Sequence, residues 1–116
     1  MAAVETAGLP RAHLRTVLLL LLADEPSHGY DMLEAARNVG MSTAEAAGVY
    51  RTLRSLEHDD LVTSWWEPSQ VGPARRTYAI TSTGTVALRV AMRDLDDQRR
   101  ALDLLLARYR HLNGEA

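Results

Sequence analysis

Apolar residues recur at every third or fourth position along most of this chain, and at every second position in one short stretch between Leu61 and Ile80. Leu14, Val17, Leu18, Leu21 and Leu22 keep helical spacing in a run that is apolar nearly all round, which predicts a helix over about Arg11 to Asp24, buried on several sides. Glu25-Pro26-Ser27 ends it, because proline disfavours helical backbone in the residue before it, and Gly29 permits a turn. Met32, Leu33 and Ala36 mark the inner face of a second helix over about Tyr30 to Asn38, with Asn38 and Gly40 as stop residues. Ser42 followed three residues later by Glu45 fits a capping box, which places a third helix at Thr43 to Asp60. Its core stripe is Ala46, Val49, Leu53 and Leu56. The opposite face carries Ala47, Gly48, Arg51, Arg54 and Ser55, with Tyr50 to one side.

The pattern then changes to a period of two, in which alternate residues point to alternate faces. Val62, Ser64 and Trp66 share one side of a first strand, and Thr63, Trp65 and Glu67 the other. On the return strand Arg76, Tyr78 and Ile80 share a face, as do Arg75, Thr77 and Ala79, with Pro68 to Ala74 as the connecting loop. Thr81-Ser82-Thr83-Gly84 caps a last helix to about Asn113. Leu88, Met92, Leu95, Leu102, Leu106 and Tyr109 follow a 4-3 alternation interrupted only by Arg99, the pattern of a coiled coil. At ~1.5 Å per residue such a helix extends ~45 Å, longer than a small core covers. Its free part must pack on something: most simply the same helix of a second copy, or else its own domain by folding back.

Two helices joined by a short turn and followed by a hairpin are the layout of a winged helix-turn-helix, a DNA-binding device. The expected fold is mainly α with a small β-wing and a long C-terminal dimerisation helix. Residues 1–10 read as a flexible leader, 11–80 as the DNA-binding domain and 81–116 as the dimerisation helix.

Composition adds bounds. With 116 residues, 47% hydrophobic and 24% charged, the chain is an ordinary small globular protein, and the absence of Phe makes the core aliphatic. It has no Cys, which excludes disulfides and thiolate metal sites. The longest strictly aliphatic run, Val17 to Leu22, is far short of the ~18–20 residues a membrane span needs, and the N-terminus lacks the pattern of a signal peptide, so the expectation is a cytoplasmic protein with no membrane partner. The net charge of −2 is low for a protein that lives on phosphates, so any DNA-binding charge must be gathered on one face. All thirteen basic residues are Arg, each capable of forked bonding to phosphate.

No catalytic constellation stands out. The four His show no ligand spacing, Ser27-His28 is mere adjacency, and no phosphate-binding glycine loop occurs, so neither an enzyme nor a metal or other cofactor is expected. Arg51 and Arg54 lie three apart on the outward face of the third helix, where they would clamp phosphates or fork onto guanine, or else pair with Glu45 or Glu57. Thr43 and Gly48 would let the backbone approach a groove closely. Trp65-Trp66 suggests one ring packed beneath the wing and one more exposed; a pair able to hold a planar ligand is the other reading.

Leu18 to Leu22 followed by Pro26-Ser27-His28-Gly29-Tyr30 resembles the start of PadR-type transcriptional regulators. Val49 to Glu57 (VYRTLRSLE) with Leu61-Val62 resembles that family's recognition helix, and Gly72 to Tyr78 (GPARRTY) with Thr81 and Gly84 its wing and helix entry. The resemblance covers residues 14 to 113. It implies a homodimeric repressor on a pseudo-palindromic double-stranded operator, released by a small ligand in some members. It also implies phosphate contacts from Tyr50, for whose ring a place at the core edge is the alternative, and from Arg75 or Arg76. The exposed N–H groups of His28 and Tyr30 at the start of the second helix would meet a phosphate, with packing of Tyr30 on the core as the alternative. An effector would lie at the dimer seam near His13, Met92, Arg99 and Tyr109. The chain departs from the family in having Asp60 where Gly is usual, a residue that accepts left-handed backbone better than most. The front of its recognition helix (Ala44, Ala46, Ala47, Gly48) is also unusually small. A second function class stays open: a winged-helix protein-interaction module without DNA binding.

Overall fold

The computed structural model describes residues 8–114. A single 3-10 turn, Arg11–His13, leads into α1 (Leu14–Asp24). There follow β1 (Ser27–His28), α2 (Gly29–Asn38), α3 (Ala46–His58), β2 (Val62–Glu67), β3 (Arg75–Ile80) and α4 (Ser82–Leu112). Most of the leader expected over 1–10 lies outside the described residues; its end is tethered, since Leu9 N–H donates to the Gly40 carbonyl at 2.7 Å.

Leu14, Val17, Leu18, Leu19 and Leu22 of α1 are buried against Met32, Leu33 and Ala36 of α2 and Val49, Leu53 and Leu56 of α3. Val62 and Tyr78 close the sheet side of this aliphatic core and Leu88 the α4 side. The sheet is three-stranded and antiparallel in the order β1-β3-β2, which corrects the expected two-stranded hairpin. Ser27 pairs with Tyr78 and His28 with Thr77. A two-residue strand has no periodicity to read; it is held only by pairing with a distant strand. In the hairpin itself Val62 faces Ile80, Ser64 faces Tyr78, Trp66 faces Arg76 and Glu67 faces Arg75.

The third helix also needs correcting. It starts at Ala46, not Thr43, and neither Ser42 nor Glu45 makes a side-chain cap. Met41 and Ala44 are buried instead. They close a turn through Ala44 N–H to the Met41 carbonyl at 3.0 Å, and Arg37 Nε donates to the Ala44 carbonyl at 2.9 Å. Burying these two side chains holds 41–44 out of the helix, and Ala46, expected in the core, is exposed.

At its far end α3 stops at His58 with Asp60 at a φ of 61°, so the left-handed position expected there is occupied by aspartate. Asp60 N–H bonds the Glu57 carbonyl (3.0 Å) and Leu61 N–H the Leu56 carbonyl (2.9 Å), the double closure of a Schellman turn.

Thr81 Oγ1 accepts from Gly84 N–H at 2.9 Å and caps α4, while the same hydroxyl donates to the Asp60 carbonyl at 2.7 Å. A side chain at Gly84 would overlap the Leu61 carbonyl oxygen, so only glycine lets the helix start against the α3–β2 junction. Gly84 and Leu88 are the buried residues of α4. Beyond Asp96 every described residue is exposed, including Leu102, Leu106 and Tyr109, and the molecule measures 63 × 36 × 20 Å. The helix runs outward and does not fold back on its own domain.

Candidate nucleic-acid interface

α3 is amphipathic because Val49, Leu53 and Leu56 anchor one face to the core, which fixes Ala47, Arg51 and Arg54 outward. Tyr50 lies at the margin between the faces. Its ring rests on the backbone of Gly29, where any Cβ would overlap it, so this glycine brings the start of α2 against α3. Tyr30, the next residue, is 67% exposed, which removes the alternative of a core position.

The wing is joined to α3 by polar contacts. Ser64 Oγ donates to Glu57 Oε2 at 2.7 Å and accepts from Arg76 Nε at 2.9 Å. A second guanidinium nitrogen of Arg76 is 3.7 Å from Glu57 Oε1, and the guanidinium lies 5.4 Å from the centre of the Trp66 ring, a cation–π contact. On the other side of the sheet Thr77 Oγ1 donates to Glu67 Oε1. His28 links α2 to the wing: Nδ1 is 3.5 Å from Asp31 Oδ2 and Nε2 is 3.8 Å from Glu67 Oε1. Burial pushes the Tyr78 phenol above its ordinary value, against the opposing pull of Arg76.

Between α2, α3 and the wing lies a cleft of about 470 Å³ bordered by His28, Tyr30, Tyr50, Trp66, Arg75 and Arg76. At the front of α3 a hollow of about 260 Å³ is bordered by Arg11, Thr43, Glu45, Gly48 and Arg51. Arg54 lines a third, with Glu57, Arg76 and Tyr78. The nine residues singled out in the sequence for DNA contact thus border three hollows around α3. Arg75 and Arg76, on opposite faces by strand alternation, both border the cleft, Arg75 from the first position of its strand.

Arg11, at the hollow beside α3, was not legible in the sequence, because only the packing of α1 brings the preceding turn there. The same holds for Arg15, which donates to Ser55 Oγ at 2.9 Å and pairs with Asp59.

Within one chain the residues considered for a ligand lie apart. Trp65 and Trp66 are 42% and 62% exposed, so neither ring is packed away as expected, and they face opposite sides of the wing. Trp65 borders a hollow with Glu25, Asp31 and Glu67; Trp66 borders the cleft. His13 is half-buried in the 3-10 turn. Arg99 is ion-paired to Asp96 at 2.7 Å on the exposed stretch of α4, and this hydrogen bond, with the charge of Arg100, holds the Asp96 carboxyl below its ordinary value.

A helix pair with an arginine-bearing outer face, backed by a three-stranded sheet whose hairpin projects beside it, defines a winged helix-turn-helix protein. The profile of the transcriptional regulator PadR-like family matches residues 17–90, well over half of the chain. The chain therefore belongs to the PadR-like family of transcriptional regulators. Solved structures agree. A conserved protein of unknown function, described as a potential transcriptional factor, is 32% identical with a TM-score of 0.77, over 88% of this chain and 91% of its own. A putative transcriptional regulator from Thermoplasma acidophilum (23% identity, TM-score 0.74, 84% and 93% covered) shares the fold. So does a PadR family transcription regulator from Clostridium difficile R20291 (17%, 0.73, 81% and 98%). No curated protein matches the chain. Among the described residues no helix is long and apolar enough to cross a membrane, and no group of three or more metal-ligating side chains occurs.

Proposed function

We propose that the chain is a homodimeric, sequence-specific repressor that binds a pseudo-palindromic operator in duplex DNA and is released by a small molecule. In this reading residues 11–80 hold the DNA and 81–116 pair two copies in the cytoplasm. The two α3 helices enter successive major grooves about 34 Å apart, with the wings on the flanking backbone. Arg51, Arg54, Arg75 and Arg76 neutralise phosphates or fork onto bases, and Tyr50 donates its hydroxyl to the backbone. The small front of α3 favours contact with thymine methyls and reliance on DNA deformability. Leu95, Leu102, Leu106 and Tyr109 supply the seam between subunits, whereas Leu88 and Met92, expected in it too, pack on the chain's own core.

The observation that carries this reading is the gathering of Arg51, Arg54, Arg75 and Arg76 around α3 in a chain whose formal net charge is −2. The test is capture of fragmented genomic DNA by the purified protein at near-physiological salt, followed by sequencing. Enrichment of a few inverted repeats, lost in the Arg51→Ala/Arg54→Ala variant, is the expected result. A folded dimer that enriches nothing would shift the assignment to the protein-interaction reading, which the overall acidic charge favours.

A further inference from the structure

The cleft between α2, α3 and the wing holds more aromatic surface than a duplex needs. Contacts to phosphate and sugar call for cationic, hydroxyl and N–H donors. In an intact duplex the base planes are stacked inside, out of reach of a flat side chain. Yet Trp66, Tyr30 and Tyr50 all border this cleft, and all three are exposed. Exposed aromatic rings beside guanidinium groups are the chemistry that holds a single base and its phosphate.

The cations divide the work. Arg76 is already fixed, by Ser64 at 2.9 Å and by its position over Trp66, so it backs the ring. Arg75 joins no ion pair among the described residues and is free to take a charged ligand. Its forked guanidinium suits a phosphate, with its charge near −2 and three acceptor oxygens. Asp31, the acidic group at the border, lies 3.5 Å from His28 Nδ1. The volume, about 470 Å³, is within the ~300–1,000 Å³ usual for small-molecule sites.

We infer that this cleft binds a mononucleotide, its base stacked on Trp66 and flanked by Tyr30 and Tyr50 and its phosphate held by Arg75, and that an occupied cleft excludes duplex DNA. The exclusion rests on the DNA-binding reading above; the binding does not.

The chain has two tryptophans, and Trp65, on the other face of the wing, serves as an internal reference. The experiment follows both indole N–H resonances of the full-length ¹⁵N-labelled protein, assigned with a Trp65→Phe variant, during titration with AMP. Parallel titrations use adenosine, inorganic phosphate and 1-naphthoate. AMP should move the Trp66 signal saturably and leave Trp65 in place. Adenosine or phosphate alone, and AMP with Arg75→Ala, should each bind roughly tenfold more weakly or worse. No movement at millimolar AMP, or movement of Trp65 instead, overturns the site. Naphthoate binding as well as AMP overturns the assignment to nucleotides. AMP should also displace a genomic fragment captured as above; a fragment that stays bound with the cleft saturated overturns the exclusion. A moving Trp66 signal in a protein that captures no DNA sinks the operator reading and leaves the nucleotide site standing.

Discussion

Tyr78 shows how one side chain serves both packing and charge. It is buried in the core, yet its phenol belongs to the sheet face that carries Ser64 and Arg76. Because burial raises its folded-state pKa above the unfolded value, the protonated form is favoured by folding. That contribution is fully present below the unfolded value, near pH 10, and is lost as pH rises through the higher folded value. The thermal unfolding midpoint should therefore fall above about pH 10, and Tyr78→Phe should flatten the decline. At the DNA face, Arg51→Ala and Arg54→Ala should each weaken operator binding and reduce the slope of log K against log salt by about 1 if the residue holds a phosphate. Fluorescence anisotropy at several salt concentrations reads this. A variant that loses affinity with an unchanged slope holds a base instead.

At the scale of elements, the two turns on either side of Leu61 decide how α3, the wing and α4 meet. Asp60 closes α3 in left-handed backbone that glycine adopts without strain. Asp60→Gly should stabilise the protein by about 0.5–1 kcal/mol in urea unfolding, since the left-handed penalty of roughly 1–2 kcal/mol exceeds the roughly 0.5–1 kcal/mol of chain entropy that glycine adds to the cost of folding. Gly84→Ala should act the other way. Its methyl group meets a backbone carbonyl, which cannot move aside as a flexible side chain does, so the helix entry must shift. A loss of about 2–4 kcal/mol is expected, measured in the same unfolding experiment.

At the scale of the whole molecule, the outer half of α4 is the least satisfied part of the fold. Leu102, Leu106 and Tyr109 keep coiled-coil spacing with nothing from their own chain against them. In the homodimer proposed above, Leu102→Glu/Leu106→Glu should halve the mass seen by sedimentation equilibrium, with the helix-turn-helix core still folded by circular dichroism. Operator affinity should fall with it, because a lone recognition helix loses the second half-site. A double variant that remains dimeric would remove these residues from the seam.

Much of this protein was determined by local sequence alone. The spacing of Val49, Leu53 and Leu56 fixes which face of α3 is outward, because a helix has one period and the core takes its apolar stripe. Thr81 and Gly84 mark the start of α4, and the outer part of its 4-3 repeat, Leu102 to Tyr109, has no partner in its own chain. Other features depended on residues far apart in the chain. The pairing of Ser27-His28 with β3 has no pattern of its own and exists only because a distant strand supplies the hydrogen bonds. The late start of α3 follows from burial of Met41 and Ala44, which outweighs the capping signal of Ser42 and Glu45. The exposure of both tryptophans, the position of Arg11 beside α3, and the cleft that gathers His28, Tyr50 and Arg76 were likewise decided by packing. Helical and strand periods are local quantities set by backbone geometry, whereas a concave surface is a relation between elements, and only the tertiary structure fixes it.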